Sequence, residues 1–438
     1  MKSTTLIIQA KWIITGNHEQ PALENHSMVI HNGLITEILT TSDAKGIYPH
    51  AELIDYPHHA VMPGFINAHT HIGMNYFRGL GNDLPLMDWL TKHIFPAEKK
   101  WLSHEFVRDA SLFAMAEMIR SGTTCFNDMF YFLQATAEAA QTAGMRAFIG
   151  MTVIEFPTPW AESTNDYFNK GMEFYESYQH HPLISTTFAP HAPYTVSDES
   201  FIRIRDLAEK HDLKINLHLH ETLDEINQSL TQFKKRPIKR LHDLGFISPR
   251  LISIHSANLN EEDLNILQIT KPSIVHCPES NMKLASGICP VERLQSLGIN
   301  VALGTDSVAS NNDLDMISEM KTANFLAKIT SRNPVSLNAH ETIELATLCG
   351  AKALGVDHLI GSLSQGKAAD FIAIDLHAVD TLPTYDPIAQ IVYSSGRHQV
   401  SDVWVSGKQL MHNRQLLTID EEHIKEKAMY WGNKIRSN

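Results

Sequence analysis

Between Phe65 and Gly304 the chain repeats one pattern eight times: a short apolar run of β-like composition, then a longer stretch with helical spacing. The runs fall at 65–68, 123–127, 146–153, 184–189, 214–219, 251–255, 273–276 and 300–304. Segments such as 105–121, 133–143, 199–211, 237–244, 261–268 and 291–297 carry the helical spacing between them. Strands joined through helices pair in parallel, and eight such units suit an α/β fold closed as a (β/α)8 TIM-like barrel.

The pattern stops at both ends. Short alternating runs at 5–8, 11–14, 27–30 and 34–38 are punctuated by Gly16 and the turn Asn32-Gly33. After two further helical stretches, 314–328 and 339–348, β-like runs return at 371–375, 388–393, 402–406 and 408–411, and an amphipathic helix is expected at 421–435. The expected organisation is a barrel over 62–365, with 1–61 and 366–438 supplying the two parts of a small β-sandwich.

A formal charge of −13 repels a phosphate backbone and an anionic membrane surface, so neither nucleic acid nor membrane is an expected partner. No segment reaches the ~18 apolar residues of a membrane helix. Gln9 and Lys11 interrupt the apolar start, no secretory cleavage site follows, and the cytoplasm is the expected compartment. The four cysteines are scattered without a CxxC, which indicates neither disulfides nor a thiolate metal site. Histidine is the excess: 25 residues, which call for a chemical reason.

Reactive groups of a barrel of this kind come from the C-terminal strand ends. His69 and His71 end the first run, His218 and His220 the fifth, His255 the sixth, His276 the seventh, and Asp306 the eighth within Gly304-Thr305-Asp306. A lone histidine at a strand end is usually structural, but five ends together indicate imidazoles and a carboxylate around a first-row metal, zinc before iron or manganese. Strand alternation puts His218 and His220 on one face, so spacing alone leaves either as a ligand. Glu221 follows in an HxxE pattern.

Pro63-Gly64-Phe65-Ile66-Asn67-Ala68-His69-Thr70-His71, the HxxE of His218 to Glu221, His255 and the Asp306 motif resemble the amidohydrolase superfamily. More narrowly, Arg78-Gly79, Asp88-Trp89-Leu90, Pro190-His191-Ala192-Pro193-Tyr194, Cys277-Pro278-Glu279-Ser280-Asn281 and Ala309-Ser310-Asn311-Asn312 resemble the 5′-methylthioadenosine/S-adenosylhomocysteine deaminases. The resemblance spans essentially the whole chain. It implies one divalent metal held by His69, His71, His218 and Asp306, with Glu221, His255 and Asp306 as the catalytic groups. His218 is taken as the ligand because the family counts three residues from it to the glutamate. The fourth run lacks the lysine that bridges paired metals in relatives.

The implied reaction is hydrolytic deamination of an adenine nucleoside. Asp306 takes a proton from the attacking water, Glu221 protonates a ring nitrogen, and His255 orients the nucleophile. Trp89, Glu98, His191, Glu221 and Ser310 are implied substrate contacts, Glu98 meeting the ribose hydroxyls. Residues 151–164, where relatives carry arginines for an amino-acid carboxylate, have no Arg or Lys but do have Glu155 and Glu162. Met151, Phe156, Pro157 and Trp160 would instead suit a methylthio group. Methylthioadenosine is therefore expected before adenosine, and adenosine before S-adenosylhomocysteine. The alternatives are an aminohydrolase or chlorohydrolase acting on a triazine, guanine or pterin ring, or a scaffold without catalysis. The resemblance also allows a homo-oligomer, though no stripe marks its contact surface.

Overall fold

A computed structural model describes residues 5–16 and 22–437; residues 1–4, 17–21 and 438 of the two expected chain-end parts lie outside the described residues. Strands β1 (Thr5–Ile14), β2 (Ala22–His31), β3 (Leu34–Thr40) and β4 (Glu52–Pro63) precede the barrel. Its strands are β5 (Phe65–Thr70), β6 (Thr123–Phe130), β7 (Arg146–Val153), β8 (Ile184–Pro190), β9 (Ile215–Leu219), β10 (Leu251–His255), β11 (Ser273–His276) and β12 (Val301–Leu303). β13 (Phe371–Asp375), β14 (Val400–Val405), β15 (Lys408–His412) and β16 (Gln415–Leu416) follow.

β5 to β12 pair in sequence order, each parallel to the next. Most of their residues are buried, as expected for strands covered by helices outside and packed side chains within. The ring closes where Thr70 bridges Asp306 in parallel and the Asp306 N–H donates to the His69 carbonyl at 3.0 Å. Gly304 makes that closure sterically feasible: a Cβ there would lie 2.8 Å from the His69 nitrogen and 2.9 Å from its Cβ.

The chain-end strands form one second sheet, in the order β16-β15-β14-β13-β4-β1-β2-β3. β4 was not visible in the sequence. In Glu52–Pro63 the polar Asp55, His58 and His59 and the residue Pro57 interrupt the apolar positions, and Pro57 falls where the β1–β4 register shifts. β4 runs into β5 through Gly64 alone, where a Cβ would strike the Thr124 side chain at 2.1 Å. The buried, two-point ion pair of Arg146 with Asp370, at 2.9 and 3.2 Å, ties β7 to the segment entering β13.

The β-like run expected at 388–393 is instead part of a helix, Pro387–Tyr393. Asp386 caps it by accepting from the Ile388 and Ala389 N–H groups, and Pro387 occupies the first turn, so the cap outweighs the β propensity of Ile388, Ile391 and Val392. The terminal helix Glu421–Arg436 anchors on helix His104–Arg120, where Trp431 donates to Asp109 at 3.1 Å and packs edge-on against Phe106. Among the described residues no helix is long and apolar enough to cross a membrane.

Candidate active site

Four donors from three barrel strand ends converge at the closure. His69 Nε2 and His71 Nε2 stand 3.3 and 3.2 Å from Asp306 Oδ1, and 3.2 and 3.3 Å from His218 Nε2. Four ligands about 2.1 Å from one tetrahedral first-row ion would stand roughly 3.4 Å apart, so the spacing fits such an ion. The proton inventory fits as well. His71 Nδ1–H donates to the Met129 carbonyl at 2.6 Å, and His218 Nδ1–H to the His191 carbonyl at 2.7 Å. The Nε2 lone pairs of His71 and His218 therefore face each other across 3.3 Å, an arrangement that a cation resolves.

Electrostatics favour the ligand forms of His69, His218 and Asp306. Burial lowers the His69 imidazole to about 4 and holds His218 well below its ordinary value. Burial also acts against a charged His71, but the Asp306 carboxylate more than offsets it and the net shift is upward. Burial opposes the charge on Asp306 too, yet His69 and His71 hold its carboxyl well below the usual range. Its second oxygen, Oδ2, accepts from Ser280 Oγ at 2.6 Å and Ser310 Oγ at 3.1 Å.

His218 and His220 part ways. β9 ends at Leu219, and His220 takes the left-handed conformation, φ +56°, which ends the strand alternation. Its ring points away from the four donors: Nδ1–H donates to the Asn258 carbonyl at 3.2 Å, and Nε2 accepts from the Ile238 N–H at 3.1 Å. His276 also ends a strand but is not one of the convergent donors.

His255 and Asp306 are left-handed as well, with φ of +71° and +62°. Such backbone costs on the order of 1–3 kcal/mol per residue and persists only where the surroundings enforce it. His255 Nδ1–H donates to Asn281 Oδ1 at 2.8 Å, which turns Nε2 toward Glu221, 3.8 Å from its Oε2. Burial raises the Glu221 carboxyl above its ordinary value, against the opposing pull of His255. A carboxyl able to carry a proton and an imidazole thus stand side by side next to the four donors.

These groups open into one recess. Trp89, Glu98, His191 and Ser310 all line it. Trp89 is oriented by its indole N–H, which donates to the Leu80 carbonyl at 3.1 Å. Burial pushes the Glu98 carboxyl up to about 8, and among the described residues no protein donor pairs with it. His191 bonds Thr195 Oγ1 through Nδ1, and burial lowers its imidazole to about 3. Ser310 Oγ is committed to Asp306 and the Ser307 carbonyl.

The apolar wall is only partly the one expected. Met151 packs in the barrel core and Trp160 against Tyr167, while Phe156 and Pro157, with Lys99, line an outer recess that adjoins the main one and shares Phe95 and Glu98 with it. Leu86, Leu90, Ile94 and Phe95 line the main recess, with Phe130 and Tyr131 from β6 and the residue after it. Glu155 does not face a ligand: it accepts from Ser197 and Ser200, each at 2.6 Å. Asn281, Ser280 and the carbonyls of Met129 and His191 escaped assignment by sequence, because bonds to backbone and between distant loops leave no spacing signal. Asp128, in β6, accepts from the Ile72 N–H at 2.8 Å, fixing the turn after His71.

The amidohydrolase family model matches residues 60–410. The chain belongs to the amidohydrolase family. This amidohydrolase is 44% identical, over 99% of its length and 97% of the relative's, to a 5-methylthioadenosine/S-adenosylhomocysteine deaminase of Saccharophagus degradans. It is 38% identical to a 5′-deoxyadenosine deaminase of Methanosarcina acetivorans, covering 97% of this chain and 96% of that one. A solved zinc-bound structure described as an adenosine deaminase, from Xanthomonas campestris, superposes with a TM-score of 0.98 at 43% identity, covering 99% of both chains.

Proposed function

We propose that this amidohydrolase is a zinc-dependent hydrolytic deaminase of 5′-modified adenine nucleosides, with 5′-methylthioadenosine as its preferred substrate. The observation that carries the reading is the meeting of Glu221, His255 and Asp306 beside the four donors, at the floor of one recess. The deaminase relatives support the class of reaction.

His69, His71, His218 and Asp306 would hold the ion, which supplies Lewis acidity that brings a water toward a pKa of ~7. The Asp306 carboxylate would take up the proton released as a water adds at C6. Glu221, whose protonated form burial favours, donates to a ring nitrogen and makes the neighbouring C6 electrophilic. His255 Nε2, turned inward by Asn281, orients the water and bonds the oxygen added at C6. The C6–N bond then breaks, the amino group leaves as ammonia with the proton held by Asp306, the proton of the added hydroxyl returns to Glu221 as the C6 carbonyl forms, and a hypoxanthine nucleoside remains.

The substrate reading rests on the recess walls. Among its lining residues there is no lysine or arginine, and among the described residues no protein donor pairs with the buried Glu98 carboxyl. Ribose hydroxyls can donate to Glu98, whereas the main recess itself offers the carboxylate of a homocysteine tail no cation, Lys99 standing in the adjoining outer recess. Leu86, Leu90, Ile94 and Phe95 offer the surface that a methylthio group prefers.

Ammonia release by the zinc-loaded protein on methylthioadenosine, 5′-deoxyadenosine, adenosine and S-adenosylhomocysteine tests both layers. The expected kcat/KM for methylthioadenosine exceeds that for S-adenosylhomocysteine by about 10-fold or more, the scale of one unpaired buried charge. A preference for S-adenosylhomocysteine overturns the substrate, and silence on all four nucleosides overturns the reaction class.

A further inference from the structure

Glu225 lies outside the recess lining and outside the four donors, yet it is a buried carboxyl aimed at the turn that delivers Glu221. It is the third residue of helix Leu223–Phe233, whose N-cap is Thr222; Thr222 Oγ1 accepts from the Glu225 N–H at 3.2 Å. A glutamate at this position commonly reaches back to the N-cap nitrogen alone. Glu225 reaches further. Its Oε1 accepts from the His220 N–H at 3.0 Å and its Oε2 from the Glu221 N–H at 2.8 Å.

These are the two amides that bracket the left-handed His220, where the chain leaves β9. On the far side the His220 ring is pinned by the Ile238 N–H and the Asn258 carbonyl, and Asn258 Nδ2 donates to the Glu221 carbonyl at 2.7 Å. The peptide units on either side of Glu221 are thus fixed by side chains that touch neither the recess nor the donors. Glu225 grips two of those amides, one through each oxygen of its carboxyl group.

We infer that Glu225 is a positioning residue, which holds the backbone of residues 220–221 so that the Glu221 carboxyl faces the reacting ring. This inference rests on the deaminase reading for the role of Glu221. A misplacement of about 1 Å at a reacting group can cost on the order of 10²-fold in rate while leaving the rest of the substrate contacts in place. Glu225 therefore contributes to turnover through Glu221 and leaves nucleoside and metal binding to other residues.

The test is kinetic and analytical on the full-length zinc-loaded protein, with Glu225→Gln and Glu225→Asp. Gln keeps one acceptor and places an NH2 against a backbone N–H; Asp keeps both carboxyl oxygens but shortens the reach. For each variant the expected result is a kcat lowered by about 10- to 100-fold, with KM within about threefold of the parent, and zinc content unchanged by metal analysis. A kcat within about threefold of the parent in both variants overturns the proposal. So does a loss of zinc, or a rise in KM that accounts for the fall in kcat/KM, because a merely structural role would spread the damage. If the parent deaminates no adenine nucleoside, the functional reading is what has failed, and the kcat–KM split is then measured on the aminated heterocycle the parent does hydrolyse.

Discussion

Thr70, which stands between His69 and His71, forms the parallel bridge to Asp306 that closes the barrel. The seam of the fold and the convergence of the four donors are one place. Anything that loosens the closure must therefore disturb the donors.

Gly304→Ala tests that link. The added methyl would meet His69 backbone at 2.8 Å and cannot be relieved by a flexible side chain. The expected outcome is a destabilisation of about 1–3 kcal/mol, the scale of overpacking, together with reduced zinc affinity. Thermal melting and a competition titration with a zinc chelator check it; wild-type zinc affinity would disconnect the seam from the site.

Glu221→Gln separates chemistry from metal holding. Turnover should fall by about 10²- to 10⁴-fold, the range of a lost general acid or base, with zinc content intact. Zinc loss in metal analysis would place Glu221 among the ligands instead.

Metal removal should be felt in stability as well as activity. Stripping zinc removes a ligand bound by four buried side chains of the native state, so a chelated sample should melt at lower temperature and recover on zinc addition. An unchanged Tm after complete removal, verified by metal analysis, would contradict a tight four-donor site.

Glu98 should show opposed effects on stability and binding. Its folded-state carboxyl lies at about 8, above the ~4.3 of an unfolded chain, so the folded protein holds this proton more tightly. The stability that this proton confers is present below about pH 4.3 and is lost as pH rises through about 8. Glu98→Gln removes the cost of burying the charge: its Tm advantage over the parent should be absent near pH 4 and grow up to about pH 8. In the same variant KM for the nucleoside should rise about 10-fold or more, the scale of a lost hydrogen bond to a charged group. A Tm difference that does not vary with pH would show that Glu98 is ionised in the free site.

Much of this protein was legible in the order of its residues. Eight apolar runs separated by helical spacing specify a barrel because both periodicities are local, and His69, His71, His255 and Asp306 could be placed because strand ends can be read from the same runs. Tertiary structure alone decided the rest. Whether His218 or His220 turns inward depends on a left-handed residue held by Glu225 and Asn258, and no spacing rule encodes that bond. The apolar wall came from Leu86–Phe95 rather than 151–164, since the side of a loop that faces the recess is set by what packs behind it. Periodicity fixes which element a residue belongs to, whereas the direction of a side chain at the end of that element follows from contacts with distant segments.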